Sequence, residues 1–241
     1  MSFKIQYKEF GANALLIEWP DIIEEAVLSD IQNFGNRIGS EISEIEIIPS
    51  YNSLTIVDYH PKRTLKDLRK RAEEIYTAFK DQKKQPYTLW RIPVCYDPKF
   101  GIDLQRLAET KGLSTEEVIK LHTEAVYSIY CIGFLPGFMY LGGLAEILHT
   151  PRLNAPRLNI PRGAVGIGGN QTGVYPQDSP GGWNIIGNSP VRLFDTNRES
   201  PCSIRTGDKV QFYSVSLPEY RVLEIEVNAS VFEMEKTEMN D

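Results

Sequence analysis

The sequence predicts an α+β chain in two parts: a small α+β domain over 1–85 and a β-barrel domain over 89–230, followed by a flexible acidic tail over 231–241. Three observations carry this reading. Short β-prone runs alternate with two amphipathic helical stretches up to residue 80; the segment Asp81-Gln82-Lys83-Lys84-Gln85-Pro86 is polar and closed by a proline; and after Val126 glycine and proline punctuate one short β-prone run after another.

In the first part, Phe3, Ile5 and Tyr7 alternate with polar residues and 14–19 is a short apolar run, so two strands joined at Phe10-Gly11 are expected. Asp21 can cap a helix in which Ile22, Ile23, Ala26, Val27, Ile31 and Phe34 recur at helical spacing until Gly35 and Gly39 weaken the pattern. Residues 45–48 and 54–57 flank the turn-rich 49–53 and read as two more strands. Thr64 caps a second helix over 64–80, with Leu65, Leu68, Ala72, Ile75 and Phe79 on one face. Four half-buried strands need helices to cover one side, which is the reason for an α+β unit.

In the second part a strand is expected over 90–96. Two short helices follow over 103–109 and 114–125, the first ended by Lys111-Gly112 and the second opened by a Ser114/Glu117 capping box. Strands are then expected over 127–134, 165–167, 183–186, 191–194, 209–215 and 221–227, a rhythm suited to a closed or folded-over sheet.

Charge and composition remove several function classes. A net charge of −6 and a pI near 5.3 argue against a polyanionic partner. The two helices over 103–125 have the outline of a helix-turn-helix. Asp103, Glu109, Glu116, Glu117 and Glu124, however, outnumber Arg106, Lys111 and Lys120, the wrong balance for facing phosphates, so no nucleic acid is expected. Cys95, Cys131 and Cys202 are odd in number and far apart, which fits a reducing compartment. Residues 1–10 have no continuous apolar core, and no stretch approaches the ~20 apolar residues needed to span a bilayer, so no membrane association and a cytoplasmic location are expected.

Motif absences narrow the chemistry further. There is no G-x-x-x-x-G-K-[ST] loop, no H-E-x-x-H and no G-x-S-x-G, and His60, His122 and His149 are dispersed, so no metal site is expected. Gly166-Ile167-Gly168-Gly169 begins like a dinucleotide fingerprint but has Gln171 where the last glycine belongs, and it is assigned no nucleotide.

The candidate working surface runs from Gly133 to Pro190. Pro151-Arg152, Pro156-Arg157 and Pro161-Arg162 recur at a five-residue step, and prolines at this density hold the arginines on an extended loop. Over 151–190 three arginines face one aspartate, a local balance of +2 in an acidic chain. Guanidinium forks match carboxylates and phosphates, so Arg152 and Arg157 are candidates for binding an anionic substrate; the alternative is that they pair with the protein's own carboxylates. Phe134, Phe138 and Tyr140 sit among glycines that let a turn present them to a ligand or plug one end of the sheet. Ser179-Pro180-Gly181-Gly182-Trp183 offers successive glycine amides for an anion, or a tight turn before Trp183. His122, with an ordinary pKa near ~6.5, and the neighbouring Tyr127 are candidates for proton transfer, against the commoner structural role of a lone helical histidine. Tyr175 and Gln171 are candidate donors to a substrate carbonyl, Tyr175 in a catalytic role.

Five runs together resemble one family: Ile92-Pro93-Val94-Cys95-Tyr96, Gly133-Phe134-Leu135-Pro136-Gly137-Phe138, Pro151-Arg152 through Pro156-Arg157, Gly173-Val174-Tyr175-Pro176 and Ser179-Pro180-Gly181-Gly182-Trp183. They look like the B subunit of 5-oxoprolinase, a group that includes the histidine-kinase inhibitor KipI and allophanate hydrolase subunit 1, and resemble half of the carboxyltransferase domain of urea carboxylase. The resemblance implies a cyclophilin-like barrel as the second domain. It also implies a non-autonomous member of a complex, acting with a KipA-like C component and a lactam-utilisation type A component to open 5-oxoproline to glutamate. ATP would be used by the assembled complex, with no cofactor bound by this chain. Inhibition of a sensor histidine kinase is the alternative role that it implies. Carboxyl transfer ranks behind both, since it needs a biotin carrier and the chain has no Met-Lys-Met site. One departure stands out: the family run Gly-Arg-Thr-Pro is here Gly187-Asn188-Ser189-Pro190, which removes a cation at Asn188.

Overall fold

The computed structural model describes residues 3–22, 24–78 and 85–239, which form two compact units, one ending at Pro86 and one spanning Tyr87–Met239. Residues 81–84 of the expected linker, Ile23 and Phe79 of the expected helices, and the last two residues of the expected tail lie outside the described residues. No helix among the described residues is long and apolar enough to cross a membrane.

The first unit runs β1 (Gln6–Glu9), β2 (Ala14–Glu18), α1 (Glu25–Glu41), β3 (Ile45–Pro49), β4 (Ser53–Asp58) and α2 (Leu65–Ala78). Its four strands form an antiparallel sheet in the order β1-β2-β4-β3. Side chains alternate across a strand, so Leu15 and Ile17 of β2 and Leu54 and Ile56 of β4 share the buried face that α1 and α2 cover. Helix α1 starts after Glu24, not at Asp21, and passes straight through Gly35 and Gly39. A Cβ on Gly39 would lie 3.2 Å from Ile47 Cδ1, so glycine there serves close helix-to-sheet contact instead of ending the helix. Thr64 caps α2 as expected, accepting from the Asp67 amide at 3.2 Å.

The second unit contains β5 (Tyr87–Val94), α3 (Leu104–Lys111), α4 (Thr115–Glu124), β6 (Val126–Ile132), β7 (Met139–Gly142), β8 (Arg157–Ile160), β9 (Ala164–Gly168), β10 (Gln171–Val174), β11 (Ser179–Gly181), β12 (Asn184–Asn188), β13 (Lys209–Ser214), α5 (Leu217–Asn228) and β14 (Lys236–Met239). Eight strands form one mixed sheet, β12-β9-β10-β7-β6-β13-β5-β14, in which only β13 and β5 run parallel; β8 and β11 make a separate ribbon. Two backbone hydrogen bonds between Cys95 and Asn188, 2.8 and 3.0 Å, tie the residue after β5 back to the end of β12. The sheet thereby curls on itself around Ile92, Val94, Ile129, Leu141, Val165 and Phe212.

Three expectations are corrected here. Residues 221–227 are helical, because Ser216 and Glu219 form a reciprocal capping box and Pro218 sits in the first turn, and these end signals outweigh the β-branched Val222, Ile225 and Val227. Residues 191–194 form no strand, although Val191 and Leu193 are buried. The acidic tail is not frayed up to Met239: β14 pairs antiparallel with β5, Lys236 opposite Trp90, since the outer edge of β5 offers an open ladder.

Candidate functional site

The centre of the site is Trp183, and glycines make its place. Gly166-Ile167-Gly168-Gly169 is strand β9 running into a two-residue hairpin at Gly169-Asn170, with Gly169 at φ +68°, so no helix N-terminus follows and no phosphate cradle exists there. A Cβ on Gly168 would lie 2.5 Å from Trp183 Nε1, and one on Gly173 would lie 3.1 Å from Cζ3. Only glycine leaves room for the indole against β9 and β10.

Around Trp183 stand Phe138, Tyr140 and Tyr175, with ring centroids 5.5, 6.5 and 6.4 Å away and interplanar angles of 77°, 68° and 80°. These edge-to-face contacts are the favoured arrangement of aromatic quadrupoles. The turn from Gly133 to Phe138 is closed by the Phe138 amide donating to the Leu135 carbonyl at 3.0 Å, with Gly137 at φ +83°. That turn buries Phe138 and leaves Phe134, itself at φ +68°, 65% exposed at the rim.

Arg152 lies over the Trp183 ring, Cζ 5.9 Å from the centroid, on an exposed stretch; among the described residues no carboxylate forms an ion pair with it. Burial raises the pKa of Tyr175, and a backbone hydrogen bond from Trp183 and the Arg152 charge only partly oppose that. Tyr175 therefore stays a neutral phenol and cannot serve as a base at neutral pH. Its hydroxyl sits 2.3 Å from where a Cβ on Gly181 would be, which explains that glycine, while the Gly182 carbonyl accepts from the Leu153 amide at 2.7 Å. Ser179 is 7% exposed, and its Oγ has no hydrogen-bond partner among the described residues. Gln171 opens β10 opposite Gly168 and is buried.

Arg157, expected to bind an anionic substrate, is tied to an internal carboxylate instead: it forms a two-bond fork with Asp103, Nη1–Oδ2 2.8 Å and Nη2–Oδ1 2.7 Å, and Nη1 also donates to the Trp183 carbonyl at 3.4 Å. Asp103 also accepts from the Ile185 amide at 2.7 Å and from Arg106 at 3.2 Å. Arg106 reaches Asn184 Oδ1 at 2.7 Å, and Asn184 Nδ2 donates to the Pro151 and Ile167 carbonyls, both at 3.0 Å. Arg157 is thus a structural cation that pins the arginine loop to α3, β9 and β12. The Arg162 amide donates to Asp178 at 2.8 Å. Asn188 is fully employed, accepting from the Tyr220 hydroxyl at 2.8 Å and donating to the Arg162 carbonyl at 3.0 Å.

His122 and Tyr127 are also corrected. His122 is fully buried in the second unit's core, stacked on Phe212 at 4.7 Å and 16°, with Nε2 2.8 Å from Thr172 Oγ1 and Nδ1 2.7 Å from the Tyr96 hydroxyl. Burial lowers its pKa to about 3, so it is a neutral core group and not a proton shuttle at cell pH. Tyr127 is fully buried and donates to the His122 carbonyl at 2.8 Å. Asp103 and Asn184 are not singled out for the site by the sequence, because nothing within a few residues of each announces its partner.

The chain matches the family described as carboxyltransferase domain, subdomain C and D, over residues 5–204. It is 36% identical to the B subunit of 5-oxoprolinase from Bacillus subtilis across 95% of this chain and all of that protein. Among solved structures, TTHA0988 superposes with a TM-score of 0.74 at 31% identity, over 85% of this chain and 40% of that longer chain. Kluyveromyces lactis urea amidolyase shares the fold at a TM-score of 0.83 and 19% identity, over 99% of this chain and 16% of that one. With a family match across most of its length and an end-to-end relative above 30% identity, the chain belongs to the carboxyltransferase subdomain C and D family, among the 5-oxoprolinase B subunits.

Proposed function

We propose that this chain is the B subunit of an ATP-dependent 5-oxoprolinase, acting with its A and C components to convert 5-oxoproline to glutamate in the cytoplasm. The end-to-end match to a 5-oxoprolinase B subunit carries this reading. The site supports a contributing role over an autonomous one. His122 and Tyr127 are locked in the core, whereas Arg152, over the buried Trp183 ring, and Phe134 at the rim are exposed. Opening an unstrained lactam requires breaking amide resonance, and a phosphoryl group placed on the carbonyl oxygen does so; in this reading ATP is spent by the assembled complex. We also read the two units as separate domains, 1–85 and 89–230, the second a cyclophilin-like barrel; the Cys95–Asn188 tie that returns β5 to β12 supports the barrel.

The test is reconstitution. The purified chain is mixed with the A and C components, 5-oxoproline and ATP, and glutamate release is followed. Release that requires this chain is the expected result; release that is the same without it removes the assignment.

A further inference from the structure

We infer that the outer face of helix α5 is a docking surface for the C component of the complex, and that it takes an apolar helix flanked by lysine or arginine. The identity of the partner rests on the 5-oxoprolinase reading above; the surface itself does not.

Helix α5 is apolar on two sides. Tyr220, Leu223 and Val227 recur at i, i+3 and i+7 on the inner side, where Tyr220 and Val227 are buried and Leu223 is half-buried. Pro218, Val222, Ile225 and Ala229 recur at i, i+4, i+7 and i+11, and all four are exposed. One apolar stripe seats a surface helix on its own domain, so the second is left to solvent. Its alternating steps of four and three are those of the seam along which one helix packs against another.

The helix that carries this stripe is fixed at both ends. Ser216 and Glu219 close its start, and the Glu226 carbonyl accepts from the Val231 and Phe232 amides at 3.0 and 3.3 Å, with Phe232 packed against the core of the second unit. A face ordered in advance loses little conformational freedom on binding.

Charge selects the occupant. Glu219, Glu224 and Glu226 of α5 stand against Arg221, and the exposed Glu233 follows. Contact between two copies through this face would set the acidic group against itself, and like charges across an interface cost binding, whereas a partner with basic flanks is attracted. TTHA0988 carries the matching unit within a longer chain, so there it is joined to further polypeptide. The family match here is to subdomains C and D of a carboxyltransferase domain, and the companion of such a part, for a chain of this length, is a separate subunit, the C component of the reading above.

Sedimentation velocity and calorimetry with the purified full chain and the purified C component test this. The parent chain is expected to bind, and to bind more weakly as salt rises. Val222→Lys combined with Ile225→Lys is expected to weaken binding roughly tenfold or more, because it replaces seam contacts with charges of the partner's own sign. Both side chains are exposed and lysine is a good helix former, so the double variant should keep the parent's helical signal and thermal midpoint; lost binding then reflects the face and not the fold. A parent chain that does not bind the C component, or a double variant that binds it as the parent does, overturns the proposal. So does a parent chain that uses these residues to pair with a second copy or with the A component instead. In the reconstituted complex, glutamate release that needs this chain but is indifferent to the double substitution overturns the surface and leaves the 5-oxoprolinase reading standing. Release that is independent of the chain removes that reading, and sedimentation with the C component then judges the surface alone.

Discussion

Arg157 meets Asp103 through two parallel bonds of 2.8 and 2.7 Å, joining the edge of β8 to the start of α3 across 54 residues of sequence. The carboxylate is buried, with 5% of its side chain exposed, whereas the guanidinium is 31% exposed. Removing the cation is the more harmful change, because it leaves a buried carboxylate with, among the described residues, only Arg106 at 3.2 Å and the Ile185 amide as partners. Arg157→Ala is expected to cost about 3 kcal/mol, the low end for a buried pair because Arg157 keeps some water. Asp103→Ala with Arg157→Ala should cost less than the two separate losses combined. Urea denaturation of the three variants measures this.

The same pair sets one acid limit. Burial alone would raise the Asp103 pKa, but hydrogen bonds from Arg157, the Ile185 amide and Arg106, with the Arg157 charge, overcome that and lower it. A lowered carboxylate stabilises the fold in full above its unfolded pKa of about 4, and that stability is lost as pH falls through the folded value.

His122 sets a second acid limit, at higher pH. Its pKa falls from 6.5 to about 3 on burial, so the unfolded chain takes up a proton that the folded core refuses. Stability from this source is full above pH 6.5 and declines as pH drops toward 3, by at most about 1.4 kcal/mol per pH unit. Denaturant midpoints measured from pH 7 to pH 4 should show this slope, and the His122→Gln variant should lack it. An NMR titration should find the His122 ring neutral at pH 5.

Two adjacent glycines should behave differently. A Cβ on Gly181 meets Tyr175 Oη at 2.3 Å and Ile160 Cδ1 at 2.7 Å, whereas one on Gly182 finds its nearest neighbour, the Leu153 carbonyl oxygen, at 3.6 Å. Gly181→Ala is expected to destabilise by about 1–3 kcal/mol through overpacking, and to shift Trp183 fluorescence as Tyr175 moves. Gly182→Ala should stay within about 0.5 kcal/mol in the same thermal melts.

Helix α5 rests on its cap more than on burial. Only Tyr220 and Val227 are buried, while Val222 and Ile225 are 56% and 69% exposed. Ser216→Ala removes the bond that the Glu219 amide donates to Ser216 Oγ and the hydroxyl's own bond to the Glu219 carboxylate, keeps the one donated by the residue 216 amide, and is expected to cost about 1 kcal/mol, read by circular dichroism melts.

Local signals account for what was legible. The Ser114/Glu117 and Thr64 caps, the alternation along β4 and the apolar face of α2 depend on neighbours within four residues, and the structure follows them. Where two local signals competed, the weaker was read: β-branched residues over 221–227 suggested a strand, and the capping box five residues earlier governed. Gly39 looked like a helix breaker because its reason, Ile47, lies across the sheet.

The sequence by itself determined the family, the α+β class and the Gly133–Pro190 region as the place to look, since these rest on residue types and short spacings. Only the tertiary structure decided what each residue there does. It sent Arg157 to Asp103, enclosed His122 between Phe212, Tyr96 and Thr172, and left Ser179 Oγ without a partner among the described residues. The physical reason is that a charge or hydroxyl takes its role from what stands within about 3 Å of it. In a folded sheet those neighbours come from strands and helices tens of residues away.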